Sequence, residues 1–211
     1  MGFCEDLING YGVGCSNDQR LFIQKLVLIN KSSVLEYLVR KSSIDIENNY
    51  NCAHDIVFRL KENESGKLIS QIDNARNVSG THERSEDLNV SEWNHSVSFI
   101  VQGYNESLIC FLNNLNVAHY FAAAMLTDGT VIIYGFDNGL RPNNYSVDLQ
   151  GNNGVTNIKL ETAKGEEEQE QPYIYKSLNS TPESDFNNLF ADIPAFEFGD
   201  FNNDFNNDFF I

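Results

Sequence analysis

Two apolar segments joined by a short polar turn constrain the fold of this chain more than any other feature. Val117–Leu126 and Val131–Phe136 consist largely of aliphatic and aromatic residues, and Thr127-Asp128-Gly129 lies between them. Asp-Gly between two apolar runs is among the strongest hairpin signals in a single sequence, because glycine adopts the positive φ that tight hairpin turns require. The sequence therefore predicts two antiparallel strands joined by this turn.

Further strands and one helix are predicted from the spacing of the apolar residues. Asp55–Lys61 alternates between apolar and mostly polar positions, which is the period of a strand with one buried face. Asn105–Asn116 predicts a helix, because Asn105 or Ser107 fits an N-cap and four apolar residues share one face, namely Leu108, Phe111, Leu112 and Leu115. The other predicted strands are Leu21–Asn30, Val34–Arg40, Val97–Val101 and Val155–Glu161. Together these elements predict a mainly β domain with one helix, a β-sandwich or barrel rather than alternating βαβ units.

Polar and acidic segments predict how the chain is divided. The stretch of about 73–94 is polar and is predicted to be a long arm that extends away from the domain, with Trp93 at its base. After Leu160 come the acidic run Glu166–Glu170 and a short aromatic repeat, which predict an extended acidic, Phe-rich C-terminal tail. The predicted regions are a leader at 1–20, a β-domain at 21–161, an acidic linker at 162–184 and an aromatic docking tail at 185–211.

The charge of the chain argues against several classes of partner. Its 30 acidic and 14 basic side chains give a net charge of −16. Because affinity for nucleic acid comes largely from Lys and Arg that neutralise phosphates, we expect no sequence-specific nucleic-acid binding, and an anionic membrane would repel the chain for the same reason. The first residues lack the basic start and apolar run of a secretory signal, so the four separated cysteines are expected to remain reduced.

The sequence shows no pattern typical of catalysis or of metal binding. The histidines, His54, His82, His95 and His119, are scattered singly, and neither a G-x-S-x-G elbow nor a phosphate-binding Walker loop is present. Asp200, Asp204 and Asp208 recur every fourth residue, which does not match the ligand spacing of an EF-hand loop. We therefore predict that the protein is not an enzyme and uses neither a cofactor nor a metal ion.

Several separated segments resemble virion proteins of phages that infect Bacteroidetes, including crAss-like phages. The opening with Cys4 and Cys15, followed by Leu26–Asn30, is similar to a leader that precedes a strand ending in Leu-Ile-Asn. The block Asp128–Leu140 resembles their hairpin of the form D-G-x-hydrophobic…G-x-D/E-N-G-L, and Gly154–Pro172 resembles the later strand with its acidic end. The resemblance implies a tail-tube-like or head–tail connector ring protein.

This resemblance implies a structural subunit that forms a ring of six or twelve copies in the tail or neck of the particle, with DNA passing through it. The implied location is the virion, after synthesis in the host cytoplasm, and the implied partners are other tail or neck proteins. An alternative is a non-ring adaptor or decoration protein that docks through its C-terminal phenylalanines. We predict the docking residues Trp93, Phe186, Phe190, Phe201, Phe205, Phe209 and Phe210, because Trp is enriched at interface hot spots and the phenylalanines recur at nearly helical spacing.

Overall fold

The structure is a computed structural model that describes residues 22–44, 50–69, 78–84, 92–102, 105–148, 155–191 and 193–194. Two helices lie in these ranges, α1 at Glu106–Val117 and the short α2 at Pro182–Asn187, with a 3-10 turn at Lys31–Ser33. The strands are β1 (Ile23–Asn30), β2 (Val34–Ile44), β3 (Tyr50–Leu60), β4 (Lys67–Ile69), β5 (Ser79–Arg84), β6 (Trp93–Gln102), β7 (Tyr120–Leu126), β8 (Val131–Tyr134), β9 (Leu140–Asp148), β10 (Val155–Thr162) and β11 (Tyr173–Tyr175).

The hairpin and the helix that local sequence signals predict are both confirmed. β7 and β8 pair antiparallel from Met125 opposite Val131 onward, and the turn between them is stabilised by Asp128 Oδ1, which accepts from the Thr130 N–H at 2.9 Å. Gly129 has a φ of +85°, as the turn requires. The helix α1 begins after Asn105, whose Oδ1 accepts the N–H of residue 108 at 2.9 Å as an N-cap.

The prediction of a mainly β chain with one main helix is confirmed, but the strands form one open mixed sheet rather than the predicted sandwich or barrel. The strand order is β2-β3-β11-β8-β7-β9-β10-β6-β5, while β1 pairs with β7 and carries β4 on its other side. All pairings are antiparallel except that of β11 with β3. Because β11 lies between β3 and β8, it joins strands that would otherwise belong to two separate sheets.

Two apolar clusters lie on opposite faces of β1 and β7. Leu26 and Leu28 face one cluster with Ala122 and Ala124, together with the apolar side of α1 and residues of β6, β9 and β10. The other cluster also contains residues of β3, β8, β11 and the C-terminal segment. The alternate residues of β1 and β7 face it, namely Val27, Ile29, Phe121, Ala123 and Met125. Burial of both faces explains why β7 reads as a continuous apolar run instead of an alternating one.

The C-terminal part of the chain differs from its predicted role as linker and tail. The segment predicted as a linker contributes β11 to the sheet, and α2 follows it at Pro182–Asn187. Phe186 and Phe190 are fully buried in the domain, where the Phe190 ring lies 5.0 Å from that of Phe58 and 5.1 Å from that of Tyr175. The prediction that these two phenylalanines dock on a partner is therefore wrong, because the domain's own core needs them. The folded unit extends at least to Ile193, which is also buried.

The predicted polar arm is also corrected over part of its length. Residues 79–84 form the strand β5, which pairs antiparallel with β6 over six residue pairs, from Ser79 opposite Ser98 to Arg84 opposite Trp93. A strand at the end of a sheet does not need alternating apolar and polar side chains, because backbone hydrogen bonds hold it to its one neighbour and its other edge faces solvent. Residues 73–77 and 85–91 of the predicted arm lie outside the described part of the chain.

Candidate functional site: two open sheet edges and a cleft

Two strands at opposite ends of the sheet order leave a backbone edge open. β2 pairs with β3 alone and β5 pairs with β6 alone, within the described ranges. Each of these strands therefore presents a row of N–H and C=O groups along one side. The short β4 forms a third open edge over three residues. Open edges of this kind are sites at which a further strand is able to add to the sheet.

The two ends of the sheet differ in their side chains. On β2, the Arg40 guanidinium forms a bidentate ion pair with Asp55, with both N–O distances at 2.7 Å, and Leu35 and Tyr37 are exposed. On β5, the hydroxyl of Ser79 lies 2.7 Å from that of Ser98, and Thr81 makes a similar contact to β6 at 2.8 Å. The β2 end thus carries cationic and apolar groups, whereas the β5 end is polar.

Trp93, predicted as a docking residue, lies at the start of β6 and is half-buried. Its ring centre lies 5.8 Å from that of His82 on β5. Its backbone exchanges two hydrogen bonds with Glu168, at 2.7 and 2.9 Å, which anchor this end of β6 to the segment before β11. Docking of Trp93 on a partner remains a prediction, and Phe201, Phe205, Phe209 and Phe210 lie outside the described residues.

Glu168 holds the turn between β8 and β9, which was not foreseen from the sequence. Its side chain is buried, and its two carboxylate oxygens accept the backbone N–H groups of Asp137, Asn138 and Gly139 at 2.7, 2.9 and 3.2 Å. Burial raises the pKa of Glu168, while these three N–H donors act in the opposite direction. The sequence assigns Glu168 to a predicted acidic linker, and no local pattern distinguishes this glutamate from its acidic neighbours.

This turn borders a cleft of about 370 Å³ between β2, the 3-10 turn and the segment after Glu168. Half of the lining is apolar, and the ring of Tyr37 packs edge-on against Phe136 with the centroids 5.1 Å apart. The Lys31 ammonium donates to the backbone carbonyl of Asp137, and the Tyr173 hydroxyl donates to the Asp137 carboxylate at 3.4 Å. The full lining consists of Lys31, Val34, Leu35, Tyr37, Phe136, Asp137, Asn138 and Gln169.

Burial shifts the protonation of groups at and near this cleft. Burial raises the pKa of Asp137, and the positive charges of Lys41 and Lys31 partly offset this shift. Burial also raises the pKa of Tyr173, so its phenol stays neutral and donates a hydrogen bond. Behind the turn, burial lowers the pKa of His95 to about 4, and the Nδ1 atom of this neutral ring accepts the Gly135 N–H at 3.0 Å.

Within the described ranges, no group of three His, Cys, Asp or Glu side chains is placed to hold a metal ion. The helices of the described residues are too short or too polar to cross a membrane. Comparison with protein-family models, with curated proteins and with solved structures finds no match.

Proposed function

We propose that this chain is a structural subunit of a tailed bacteriophage particle, which assembles with its own copies into a ring in the tail or neck. The observation that carries the proposal is the pair of open edges, β2 and β5, at the two ends of one sheet. Open edges are templates for pairing with another chain, and a ring that is closed through β2 and β5 leaves neither of these two edges free. The resemblance of Asp128–Leu140 to ring-forming virion proteins supports the same assignment.

The difference between the two edges favours a head-to-tail contact. β2 carries the exposed Leu35 and Tyr37 together with charged residues of both signs, whereas β5 carries mainly hydroxyl groups, Glu83 and Arg84, so the two edges are different surfaces. A contact between two different surfaces repeats from copy to copy and closes into a ring when its rotation permits. We expect six or twelve copies, whose joined strands complete a β-structure of the tail-tube type.

The charge of the chain suits a ring through which DNA passes. At a net charge of −16, the subunit repels phosphates and does not hold the DNA that moves past it. The proposed role requires no catalysis and no cofactor, and it places the protein in the virion after synthesis in the host cytoplasm. Its neighbours would be other tail or neck proteins.

The first test is the mass of the purified protein and of the same protein in particles. Native mass spectrometry should show a closed species of six or twelve copies. A monomer or trimer at all concentrations would contradict the ring and would favour a non-ring adaptor that docks through Phe201, Phe205, Phe209 and Phe210.

The second test blocks each edge separately. Leu35→Pro alters β2 at a bulge, where Leu35 is the extra residue and has no partner on β3. The preceding residue, Val34, has φ −70° and ψ 129°, a conformation that is compatible with a following proline. The double variant Thr81→Lys with Glu83→Lys places two cations on β5, and lysine on an edge disfavours strand addition. Each variant should retain its circular dichroism spectrum and fail to form rings.

An equal mixture of the two variants distinguishes a head-to-tail contact from a symmetric one. The β2-blocked subunit retains an open β5 and the β5-blocked subunit retains an open β2, so the mixture should form a heterodimer and stop there. Homodimers of either variant alone would instead indicate that like edges pair, and rings from both variants would show that neither edge is used.

A further inference from the structure

We infer that the cleft between β2 and the turn 135–139 binds one neutral sugar ring, such as a pyranose unit of a polysaccharide. The volume of about 370 Å³ falls at the lower end of the range for small-ligand sites, which suits a single ring. This inference does not require ring assembly, since the cleft is formed within one subunit, but the cleft shares Leu35 and Tyr37 with the β2 edge.

The aromatic side of the cleft provides a stacking surface. Tyr37 is 60% exposed, yet its ring is oriented by the edge-on contact with Phe136, whose side chain is only 6% exposed. The Tyr37 ring is therefore held in place while one of its surfaces stays free to contact a ligand. The flat C–H face of a pyranose is a ligand that suits such a ring, because it is apolar across the face and carries hydroxyl groups at its edge.

The polar side of the cleft provides groups that are able to form hydrogen bonds with those hydroxyls. Asp137 contributes a carboxylate, Asn138 and Gln169 contribute amides, and Lys31 contributes an ammonium. The amide nitrogen of Asn138 donates to the Glu167 carbonyl at 2.6 Å, which fixes the orientation of the amide. Hydroxyl donors from a sugar would also compensate the carboxylate of Asp137 for the burial that raises its pKa.

The charges in the lining select for a neutral ligand. The one cation, Lys31, and the one carboxylate, Asp137, cancel, and the chain as a whole is strongly acidic, which disfavours phosphate or sulfate esters. A purely apolar occupant, such as a phenylalanine side chain from a peptide, would desolvate the Asp137 carboxylate further and add no donor to the long bond, at 3.4 Å, from the Tyr173 hydroxyl. A molecule with both an apolar face and hydroxyl groups satisfies the two halves of the cleft together.

The cleft is also formed before any ligand arrives. The turn that carries Asp137 and Asn138 is held by three N–H bonds to the buried Glu168 and by the positive φ of Gly135 and Gly139. A preformed site avoids the entropic cost of ordering a loop on binding.

The experiment uses saturation-transfer NMR with neutral methyl glycosides of glucose, galactose, mannose, rhamnose and N-acetylglucosamine. We expect at least one glycoside to receive saturation from the full-length protein. Tyr37→Ala should weaken its binding by roughly tenfold or more. Asp137→Asn preserves the shape of the side chain and should weaken it as well. Leu68→Ala serves as the matched control, because Leu68 is exposed to 48% and lies outside the cleft.

Each result decides the inference. Absence of transfer to all five glycosides would overturn it, and so would binding that both cleft variants leave unchanged. A synthetic peptide of residues 195–211 is tested in parallel. If this peptide binds with dependence on Tyr37 while the glycosides do not, the cleft is a peptide site and the sugar inference is wrong. Retention of the melting temperature in Tyr37→Ala confirms that a loss of binding is local.

Discussion

Replacing Phe190 by alanine tests whether the C-terminal segment is part of the folded domain. The Phe190 side chain is fully buried, and its ring lies within 5.0 to 5.8 Å of the rings of Phe58, Tyr175 and Phe186. The backbone around it is fixed as well, because the Phe190 N–H donates to the Asp185 carbonyl at 2.8 Å. The segment therefore has little freedom to collapse into the cavity that the substitution would leave.

The magnitude follows from that burial. Removing a fully buried phenylalanine ring costs about 3–5 kcal/mol, which combines the lost transfer free energy with the unfilled cavity. For a chain of this length, each kcal/mol lowers the melting temperature by roughly 2–4 °C, so we expect a decrease of about 6–20 °C. Urea unfolding followed by circular dichroism gives the free energy of unfolding, and a thermal scan gives the melting temperature.

The matched control is Phe22→Ala, since the Phe22 side chain is 48% exposed. Its loss should change the free energy of unfolding by about 1 kcal/mol or less. If Phe190→Ala were no more destabilising than this control, the core would not include the C-terminal segment, and the predicted docking tail beginning at residue 185 would be reinstated.

Two further substitutions test the supports of the turn 135–139. Glu168→Gln should lower the free energy of unfolding by about 1–3 kcal/mol in urea titrations, because an amide nitrogen cannot accept the N–H groups of the turn, whereas the exposed Glu166→Gln should change it little. His95→Gln tests the pH dependence of stability. Burial keeps the His95 ring neutral in the folded state, so its contribution to the free energy of unfolding is fully present above pH 6.5 and is lost as the pH falls towards 4 and the unfolded state takes up a proton. The wild type should therefore lose up to about 3 kcal/mol relative to His95→Gln between pH 7 and pH 4, and a constant difference would contradict the assignment.

Local signals predicted the parts of the fold that local physics determines. The turn at Asp128-Gly129 depends on the positive φ of one glycine, and the start of α1 depends on one asparagine three residues before the N–H that it caps. In both cases the partners are neighbours in sequence. The apolar strands β1 and β7 were also predicted, because strongly buried strands are rich in aliphatic residues whichever strands they pair with.

The elements that were missed depend on partners far away in sequence. β11 has only three residues, and it becomes a strand because β3 and β8 both offer an edge to it. Glu168 bonds to a turn about 30 residues earlier, so its acidic neighbours concealed its role. Phe186 and Phe190 resemble in their spacing the phenylalanines that follow them, and they differ by being buried in one core with Phe58 and Tyr175.

The segment 168–170 contacts strands at or next to both ends of the sheet. Its first residue, Glu168, pairs by backbone with Trp93 on β6, next to the terminal strand β5. Its last residue, Glu170, forms an ion pair at 2.9 Å with Lys41 on the other terminal strand, β2. Residues at or next to both ends of the sheet therefore contact the same segment of three residues. Because β2 and β5 do not pair with each other within the described part of one subunit, each leaves its outer edge to solvent or, in the proposed ring, to another copy.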